Sequence, residues 1–309
     1  MVLLSSCSLT DKIALKSTAS LLKKGSDEIL TESNWQHFNL AVPANLKLME
    51  GLWFSDQDNE ELLTLLIKGY AAYGFATYET KGMADLLQGK QNSKHLRQAI
   101  FHYEKAVSYG LKFLEIKGIS QQTFFKVGYG LQIRQDFTAK FSEDDLIAIF
   151  YFAQAMGSSI NLQRDDISKM GYFTHVKEML NWTCEQNPKL ERGACSLFRA
   201  VLLANTPTVM GGSQQKARKH FQKIIKEQPH NYLAHLSYIQ YHIVPMLEEE
   251  EFSSEMKKLS SKLKKWESYI IGKDRSRAEL YEKHRFFNLY NAIAYERYKI
   301  LKKLKNEIF

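Results

Sequence analysis

Three histidines in the C-terminal third are the residues whose type best suits metal or acid–base chemistry: His230, His235 and His242. Their spacings of five and seven residues do not reproduce the HExxH pattern. In that pattern two histidines on one helix face bind zinc and a glutamate acts as the base. The acidic run at 248–251 is typical of a solvated helix start. The sequence therefore predicts no metal site and no catalytic residue.

A second pattern that could indicate chemistry is Gly128-Tyr129-Gly130. A dinucleotide fingerprint needs a third glycine at position 133, where this chain has Ile133. Neither a Walker loop nor a nucleophile elbow of the Gly-x-Ser-x-Gly type occurs in the sequence. We therefore interpret the glycine pair as a loop or packed turn, and we expect no cofactor and no enzymatic activity.

Cys7 is the residue for which the sequence predicts a modification. It ends Leu4-Ser5-Ser6-Cys7, which matches a bacterial lipobox, where small residues allow cleavage and the cysteine thiol is diacylated. Residues 1–7 are thus expected to be a residual lipoprotein signal with Cys7 as the lipidation site. The alternative is an unmodified cysteine that matches by chance. No run of 18 apolar residues occurs elsewhere, so no membrane-spanning helix is predicted.

The other two cysteines, Cys184 and Cys195, stand 11 residues apart on either side of a turn predicted at Pro188. Two roles remain open for them. They could form a disulfide across a helical hairpin in an oxidising compartment. They could instead be small buried hydrophobic residues, which is the more common role of cysteines in helical repeats.

The elements that carry these residues have helical patterns. The chain has 309 residues, 44% of them hydrophobic, and its apolar residues recur at helical spacing. One pattern occurs twice and is typical of the second helix of a tetratricopeptide (TPR) repeat. We therefore predict an all-α fold of irregular TPR-like helical hairpins, stacked into a compact α-α superhelical body that forms one domain over 8–309. The two copies are Ala99-x3-Tyr103-x2-Ala106 and Ala217-x3-Phe221-x2-Ile224-x4-Pro229.

Individual helices and one loop can be placed from these patterns. A first helix is predicted over 9–34, and Pro43 suits the first turn of the next one. Further helices are predicted at about 143–157 and 168–184. The loop at 205–213 is longer than a standard repeat needs, and its Gly211-Gly212 pair predicts either a helix-capping turn or a surface that a ligand approaches closely.

Charge is unevenly distributed along the chain. Residues 253–309 hold 15 Lys and Arg against 7 Asp and Glu, whereas residues 1–252 hold 27 of each sign. The net charge of +8 therefore belongs to the C-terminal helices. These predict either a solvated helix face or attraction to an anionic membrane or an acidic partner. Nucleic acid is a weaker alternative, because Trp266 is the one aromatic residue placed to stack on bases.

Several segments together resemble the TatT family, the TPR component of tripartite ATP-independent periplasmic (TRAP) transporters. The resemblance covers most of residues 7–309. Its most specific part is the Met-Gly-Gly loop joined to a TPR helix. The segments are Ala41 to Leu52, Asp58-Asn59 with Leu62-Leu63, Gly157 to Leu162 before Asp165-Asp166, and Pro207-x2-Met210-Gly211-Gly212-Ser213-x3-Ala217-x3-Phe221.

The resemblance implies a non-enzymatic periplasmic lipoprotein, anchored to a bacterial membrane through Cys7. Its expected partner is the periplasmic solute-binding protein of a TRAP transporter. The expected assembly is a homo-oligomer, specifically a trimer. The resemblance does not imply a nucleic acid partner. The resemblance also implies a cleft for a small organic solute, including a hydrophobic one. The candidates for that cleft are Tyr70, Tyr73, Phe75, Tyr78, Met210, Gly211 and Gly212. The alternative to the cleft for the four aromatic residues is ordinary core packing.

Overall fold

The computed structural model describes residues 6–90 and 93–309. It is 82% helical, and no strand occurs among the described residues, which confirms the predicted all-α fold class. No helix in this part of the chain is both long and apolar enough to cross a membrane. The α-helices are α1 (Ser6–Gly25), α2 (Trp35–Ser55), α3 (Glu60–Tyr73), α4 (Thr80–Leu87), α5 (Lys94–Ile116), α6 (Gln121–Phe124), α7 (Ile133–Lys140), α8 (Leu146–Leu162), α9 (Ile167–Met170), α10 (Phe173–Gln186), α11 (Leu190–Asn205), α12 (Gln214–Glu227), α13 (Tyr232–Tyr238), α14 (Glu249–Ile270), α15 (Ala278–Lys283) and α16 (Asn288–Ile308).

Shorter helical segments connect these elements. Two of them are π-helical and lie at Gly74–Glu79 and Ile239–Ile243. Others are 3-10 turns, including Ser26–Thr31 and Thr208–Met210. The prediction of a first helix over 9–34 is therefore wrong at its C-terminal end, because the α-helix ends at Gly25 and the chain continues as a 3-10 turn.

The chain divides into two compact units. The first comprises Met1–Ser26, Asn39–Glu79 and Lys94–Pro188, and the second comprises Asp27–Phe38, Thr80–Ser93 and Lys189–Phe309. Each unit has its own buried core. The single domain over 8–309 stays a prediction.

The core of the first unit is built by α3, α5 and α8, which pack against one another. Asn59 caps α3 by accepting a hydrogen bond from the Leu62 backbone N–H at 3.0 Å. The repeat pattern on α5 is wholly buried, since Ala99, Tyr103 and Ala106 have no exposed surface. These side chains therefore face the core, as the pattern predicts, while the repeat class itself stays a prediction.

Pro43 lies inside α2 and not in a first helical turn, so this prediction is wrong. Proline has no N–H, and the carbonyl four residues earlier loses its usual helical partner. That carbonyl belongs to Asn39, and the Tyr73 hydroxyl of α3 donates to it at 3.4 Å. Tertiary packing thus satisfies the acceptor that the proline leaves open.

The second unit is built around α11, α12, α13 and α16. Ser213 caps α12 and Asn231 caps α13, each by accepting a hydrogen bond from a backbone N–H of the helix that follows. The second copy of the repeat pattern is again buried, with Ala217, Phe221 and Ile224 at most 2% exposed. Pattern and burial therefore agree in both units.

Cys184 and Cys195 are both disulfide-bonded. Of the two roles that the sequence leaves open, they therefore have the oxidised role and are not free buried thiols. Between them the backbone turns sharply at the start of α11. Glu191 and Arg192 have left-handed φ values of 46° and 56°, a conformation that is strained for residues with a side chain. Gln228 holds this turn by donating to the Arg192 carbonyl at 2.7 Å.

Candidate functional site

The aromatic residues predicted to line a cleft meet around one histidine in the first unit. Tyr78 stacks on His102 with ring centroids 4.8 Å apart, and Tyr73 meets the same ring edge-on at 5.0 Å. Tyr70 lies at 5.9 Å and Phe101 at 5.4 Å. We call these five residues the His102 cluster. Three of the four aromatic candidates from the sequence therefore belong to one arrangement of rings.

The π-helical segment explains how residues five positions apart reach the same ring. In an α-helix, positions such as 73 and 78 are separated by about 140° around the axis. In the π-helix Gly74–Glu79, hydrogen bonds run to the fifth residue back, so such positions lie closer together around the axis than in an α-helix. Gly74 is required here, since a Cβ would lie 2.9 Å from the Tyr103 ring of α5. Phe75, the fourth candidate, is half-buried on the same segment.

His102 is held in one neutral form. Its Nδ1 donates to the Gln98 carbonyl at 2.7 Å, so the neutral ring keeps an acceptor at Nε2. Burial lowers the pKa of His102, although the bond to Gln98 acts in the opposite direction. The cluster thus offers uncharged aromatic faces and one imidazole. Phe101 is 52% exposed and Tyr78 half-buried, so solvent reaches its rim.

Glu50 of α2 anchors the other side of this cluster. Its carboxylate accepts hydrogen bonds from the Tyr70 hydroxyl at 2.7 Å and the Tyr109 hydroxyl at 2.8 Å. Lys105 and Lys47 add ammonium donors at 3.2 Å and 2.5 Å. Burial acts to raise the pKa of Glu50, but these four hydrogen bonds outweigh it and hold the pKa at about 2. Burial and the bond to Glu50 raise the pKa of both tyrosines.

Sequence reasoning missed both His102 and Glu50. Glu50 precedes Tyr70 by 20 residues and Tyr109 by 59, and no local pattern joins positions so far apart. His102 had a weak signal, because it stands next to Tyr103 of the repeat pattern. Its ring also lies at helical spacing from Tyr109 on the same helix.

The glycines of the Met-Gly-Gly loop, in the second unit, have structural roles. Gly211 has a φ of 94°, which favours glycine. A Cβ on Gly212 would lie 1.7 Å from the Thr206 carbonyl oxygen. The Gly212 N–H donates to the Pro207 carbonyl at 3.1 Å, so the loop folds back on the end of α11. Met210 ends the 3-10 turn before them. A ligand contact by these three residues stays a prediction.

Gln214 joins this loop to a buried histidine. Its side-chain amide donates to the Ala204 carbonyl at 2.7 Å, which leaves its Oε1 to accept from His242 Nδ1 at 2.9 Å. His242 Nε2 is then a buried acceptor that has no hydrogen-bond partner among the described residues. Burial, with the nearby Arg218, lowers the pKa of His242. The ring is therefore neutral and fixed in one tautomer.

The three histidines noted in the sequence have separate partners. His235 Nε2 lies 2.7 Å from Glu255, while His242 contacts Gln214. His230 stacks on His284 with centroids 4.2 Å apart. Within the ranges 6–90 and 93–309, no group of three or more His, Cys, Asp or Glu residues is placed to bind a metal ion.

The basic C-terminal helices expose lysines, and their one tryptophan is buried. Lys257, Lys264 and Lys265 are exposed along the outer face of α14. Lys258 pairs with Glu255 at 2.6 Å. Trp266, the aromatic residue that the nucleic-acid alternative requires, is 3% exposed, so its ring is not available to stack on bases.

These features define an all-α protein of paired helices, in which the repeat patterns form the cores of two units. The chain belongs to the TRAP transporter T-component family, whose model matches residues 33–263, about three quarters of the chain. None of the curated proteins compared with the chain matches it. The protein is therefore an accessory component of a TRAP transporter and associates with that transporter. Helix α1, with Cys7, precedes the matched region.

Proposed function

We propose that this chain is a non-enzymatic periplasmic lipoprotein that docks the solute-binding receptor of its TRAP transporter and binds or passes a small, partly apolar organic solute. The observation that carries the solute part is the His102 cluster. Three tyrosines and a phenylalanine surround a neutral imidazole, and the rim of this arrangement reaches solvent.

The chemistry of the cluster suits a flat or apolar group. Aromatic pairs in stacked or edge-to-face geometry contribute about 0.5–1.5 kcal/mol beyond the area that they bury. Phe101 and Tyr78 are the members with exposed surface, so a solute would contact these first. A charged part of the solute would remain toward solvent, because burying a charge without a partner is costly.

The test uses anilinonaphthalene sulfonate, an aromatic organic anion whose fluorescence rises in apolar sites, and the full chain. We expect Tyr78→Ala and Phe101→Ala each to weaken dye binding by roughly three- to tenfold. Phe54→Ala is the matched control, since Phe54 is an aromatic residue of the first unit that is 76% exposed and outside the cluster. Equal losses in all three variants, or no loss in the first two, would contradict a solute site here.

We propose the Met-Gly-Gly loop as the receptor-docking surface. The loop is closed by backbone hydrogen bonds and carries Val209 at its tip, 95% exposed. A fixed loop that presents an apolar side chain loses little entropy on binding. Val209→Asp should reduce co-purification of the solute receptor at least tenfold, while Val127→Asp, at a valine of the first unit that is 98% exposed, should not. Unchanged recovery with Val209→Asp would exclude the loop.

The anchor and the compartment belong to the same proposal. Residues 1–5 of the lipobox segment lie outside the described residues, and of Cys7 only the helical backbone is described. The disulfide-bonded state of Cys184 and Cys195 supports an oxidising compartment such as the periplasm. Mass spectrometry of the native protein should find acyl chains on Cys7, and Cys7→Ala should move the protein from the membrane to the soluble fraction. A Cys7→Ala protein that stays with the membrane unaltered in washes of high salt would contradict the lipid anchor.

The proposal also includes a homo-oligomer, specifically a trimer. Light scattering coupled to gel filtration should then give about three times the chain mass of 35.8 kDa. A monomer mass at all concentrations would refute it.

The alternative is a protein that binds an acidic partner or nucleic acid through its basic C-terminal helices. The observation that favours an acidic partner is the row of exposed lysines on α14. Binding of this kind weakens steeply with salt, so a log–log plot of affinity against salt with no slope would exclude it.

A further inference from the structure

Helix α12 packs one side against the core of the second unit and exposes the other side to solvent. Ala217, Phe221 and Ile224 form the buried side and are at most 2% exposed. Away from this side, lysines recur at spacings of three and four residues, which put them in one row along the helix. The row is about 15 Å long. We call these four exposed residues the lysine stripe: Lys216, Lys219, Lys223 and Lys226.

The lysine stripe places like charges next to one another. Each lysine has the next one three or four positions further along the helix, and like charges at these spacings destabilise a helix. The one acidic residue of α12 is Glu227, which lies 3.8 Å from Lys223. The ammonium groups of Lys216, Lys219 and Lys226 form no ion pair with any residue of 6–90 or 93–309. The stripe therefore lowers the stability of α12, where a face of mixed charges would raise it.

Arg218, on another side of the same helix, is compensated within the chain. Its guanidinium lies 3.3 Å from the Glu248 carboxylate and 2.5 Å from the Glu251 carboxylate. The lysine stripe differs from this arginine, because three of its four members have no carboxylate partner in the described parts of the chain. The second unit thus neutralises the basic residue that faces its own helices and leaves the outer row unpaired.

The positive charge extends from α12 toward α11 near His220. Burial lowers the pKa of His220, and the nearby Arg199 of α11 and Lys223 lower it further. Arg199 is exposed, and its side chain has no ion pair within the part of the chain that the structure describes. Arg199 therefore adds a fifth positive charge beside the lysine stripe.

The residues that border the lysine stripe are polar. Gln215 and Gln222 follow one edge, and His220 and Glu227 follow the other. A helix that lies in a membrane interface needs an apolar face beside its lysines, which these residues do not provide. A surface for single-stranded nucleic acid needs exposed aromatic rings, whereas Phe221 has no exposed surface. An acidic protein surface needs neither, because its carboxylates pair with lysines directly.

The lysine stripe begins beside the Met-Gly-Gly loop. Ser213 at the end of this loop caps α12 by accepting a hydrogen bond from the Lys216 backbone N–H at 3.3 Å. Val209, 95% exposed, stands four residues before this cap. An exposed apolar side chain next to a charged surface matches the anatomy of protein–protein interfaces, in which an apolar centre has a polar rim.

We propose that the lysine stripe binds an acidic surface of the solute receptor, with Val209 as the apolar contact beside it. The inference rests on the proposed docking of the receptor and deepens it, because it names the chemistry of the partner surface. Complementary charge speeds association and selects the partner. The equal counts of both signs in residues 1–252 conceal this surface, since its charges are balanced elsewhere in that segment.

The first experiment titrates a fluorescein-labelled decaglutamate peptide with the full chain and follows fluorescence anisotropy. We expect binding at low salt that weakens as salt is added. Lys216→Ala/Lys219→Ala/Lys226→Ala should bind the peptide roughly 30-fold more weakly, since each exposed ion pair contributes about a threefold effect. No binding of the peptide by the parent chain would overturn the proposal.

The matched control is Lys257→Ala/Lys264→Ala/Lys265→Ala. It removes the same amount of charge from exposed positions on α14 of the same unit. This variant should weaken peptide binding less than about threefold. Equal losses in the two triple variants would show an effect of net charge alone and would overturn the proposal.

A charge reversal separates binding from folding. Lys219→Glu creates opposite-charge pairs with Lys216 and Lys223, so the urea midpoint should rise. The same variant should bind the peptide roughly tenfold more weakly, since the charge changes by two units. A stripe that served only the fold would lose stability on this change, and a lower midpoint with unchanged binding would contradict the proposal.

The second experiment measures recovery of the solute receptor with the same variants. The triple variant of α12 should reduce recovery at least about tenfold, and the triple variant of α14 should not. If Val209→Asp abolishes recovery and the α12 variant leaves it unchanged, docking through the loop stands and the lysine stripe is excluded. If the parent chain recovers no receptor, receptor docking fails, while peptide binding lost only in the α12 variant keeps the stripe as a site for an acidic protein.

Two competing partners are tested with the same lysine variants. A uridylate oligomer of the same charge as the peptide represents nucleic acid, and vesicles that contain phosphatidylglycerol represent a membrane. We expect both to bind more weakly than the peptide. Tighter binding of either one, lost in the α12 triple variant, would assign the lysine stripe to that class of partner and overturn the proposal.

Discussion

Removing the charge of Glu50 should destabilise the first unit in a pH-dependent manner. Glu50→Gln keeps the size of the side chain and an oxygen that accepts from Tyr70 and Tyr109. The variant loses the carboxylate that binds the ammonium groups of Lys47 and Lys105. The perturbation therefore isolates the charge of Glu50 from its packing.

The pKa of Glu50 sets the size of the effect. It is held at about 2, against 4.5 for an ordinary glutamate. A difference of this size corresponds to about 3 kcal/mol of folding free energy if fully realised. The carboxylate is 16% exposed and the Lys47 side chain 74% exposed, so solvent screens part of the interaction. We expect a loss of about 2 kcal/mol at neutral pH.

The sign of the pH dependence follows from the lowered pKa of Glu50. Its stabilising contribution is complete above the unfolded pKa of 4.5 and is lost as the pH falls toward 2. Urea unfolding should therefore show a gap of about 2 kcal/mol between the parent protein and Glu50→Gln at about pH 7, and about 1 kcal/mol at about pH 3.5. Glu115→Gln, which removes an exposed pair with Lys112, should cost less than about 0.5 kcal/mol at both. A pH-independent gap, or none, would refute the reasoning.

Three further predictions concern single positions. Gly212→Ala should lower the unfolding free energy by about 3 kcal/mol, because the new Cβ would overlap a carbonyl oxygen. Gly51→Ala, where nothing lies within 4 Å of the new Cβ, should instead stabilise helix α2 by about 1 kcal/mol. The opposite order of the two variants would contradict the loop geometry. NMR titration should give His102 a pKa below 6.5, because its ring is buried. The unfolding free energy should therefore fall as the pH is lowered from 6.5 through the pKa of the folded protein. A pKa at or above that of His102 in the urea-unfolded chain would show that the ring is not buried. Cys184 and Cys195 are each disulfide-bonded, so treatment with a reductant should lower the unfolding free energy by about 3 kcal/mol, and alkylation of either thiol in the untreated protein would show that it is free.

The helical cores were predictable from the sequence because local periodicity determines them. Tyr103 and Phe221 stand at positions where the repeat pattern needs an aromatic residue, and both are fully buried. The site was predictable only in part. The pattern supplied Tyr70, Tyr73 and Tyr78, but a π-helix and not an α-helix brings the last two to one ring.

The rest depended on contacts that no local pattern encodes. Glu50 reaches tyrosines from two other helices, so its role emerges only when α2, α3 and α5 pack together. Pro43 misled the prediction for a related reason. Sequence rules place proline in a first helical turn because its missing N–H costs a hydrogen bond elsewhere in a helix, and here Tyr73 offsets that cost from another helix.

Pro43 thereby makes two distant positions interdependent. Because Pro43 removes the usual helical donor to the Asn39 carbonyl, the Tyr73 hydroxyl donates to it instead, and this contact helps to position the ring that Tyr73 presents to His102. Pro43→Ala would supply the missing N–H and make the hydroxyl dispensable. We expect Tyr73→Phe to cost about 1–2 kcal/mol in the parent chain and less than half of that in the Pro43→Ala background. The amino acid tolerated at 73 would then depend on a residue that is not a member of the cluster, and equal costs in both backgrounds would exclude this coupling.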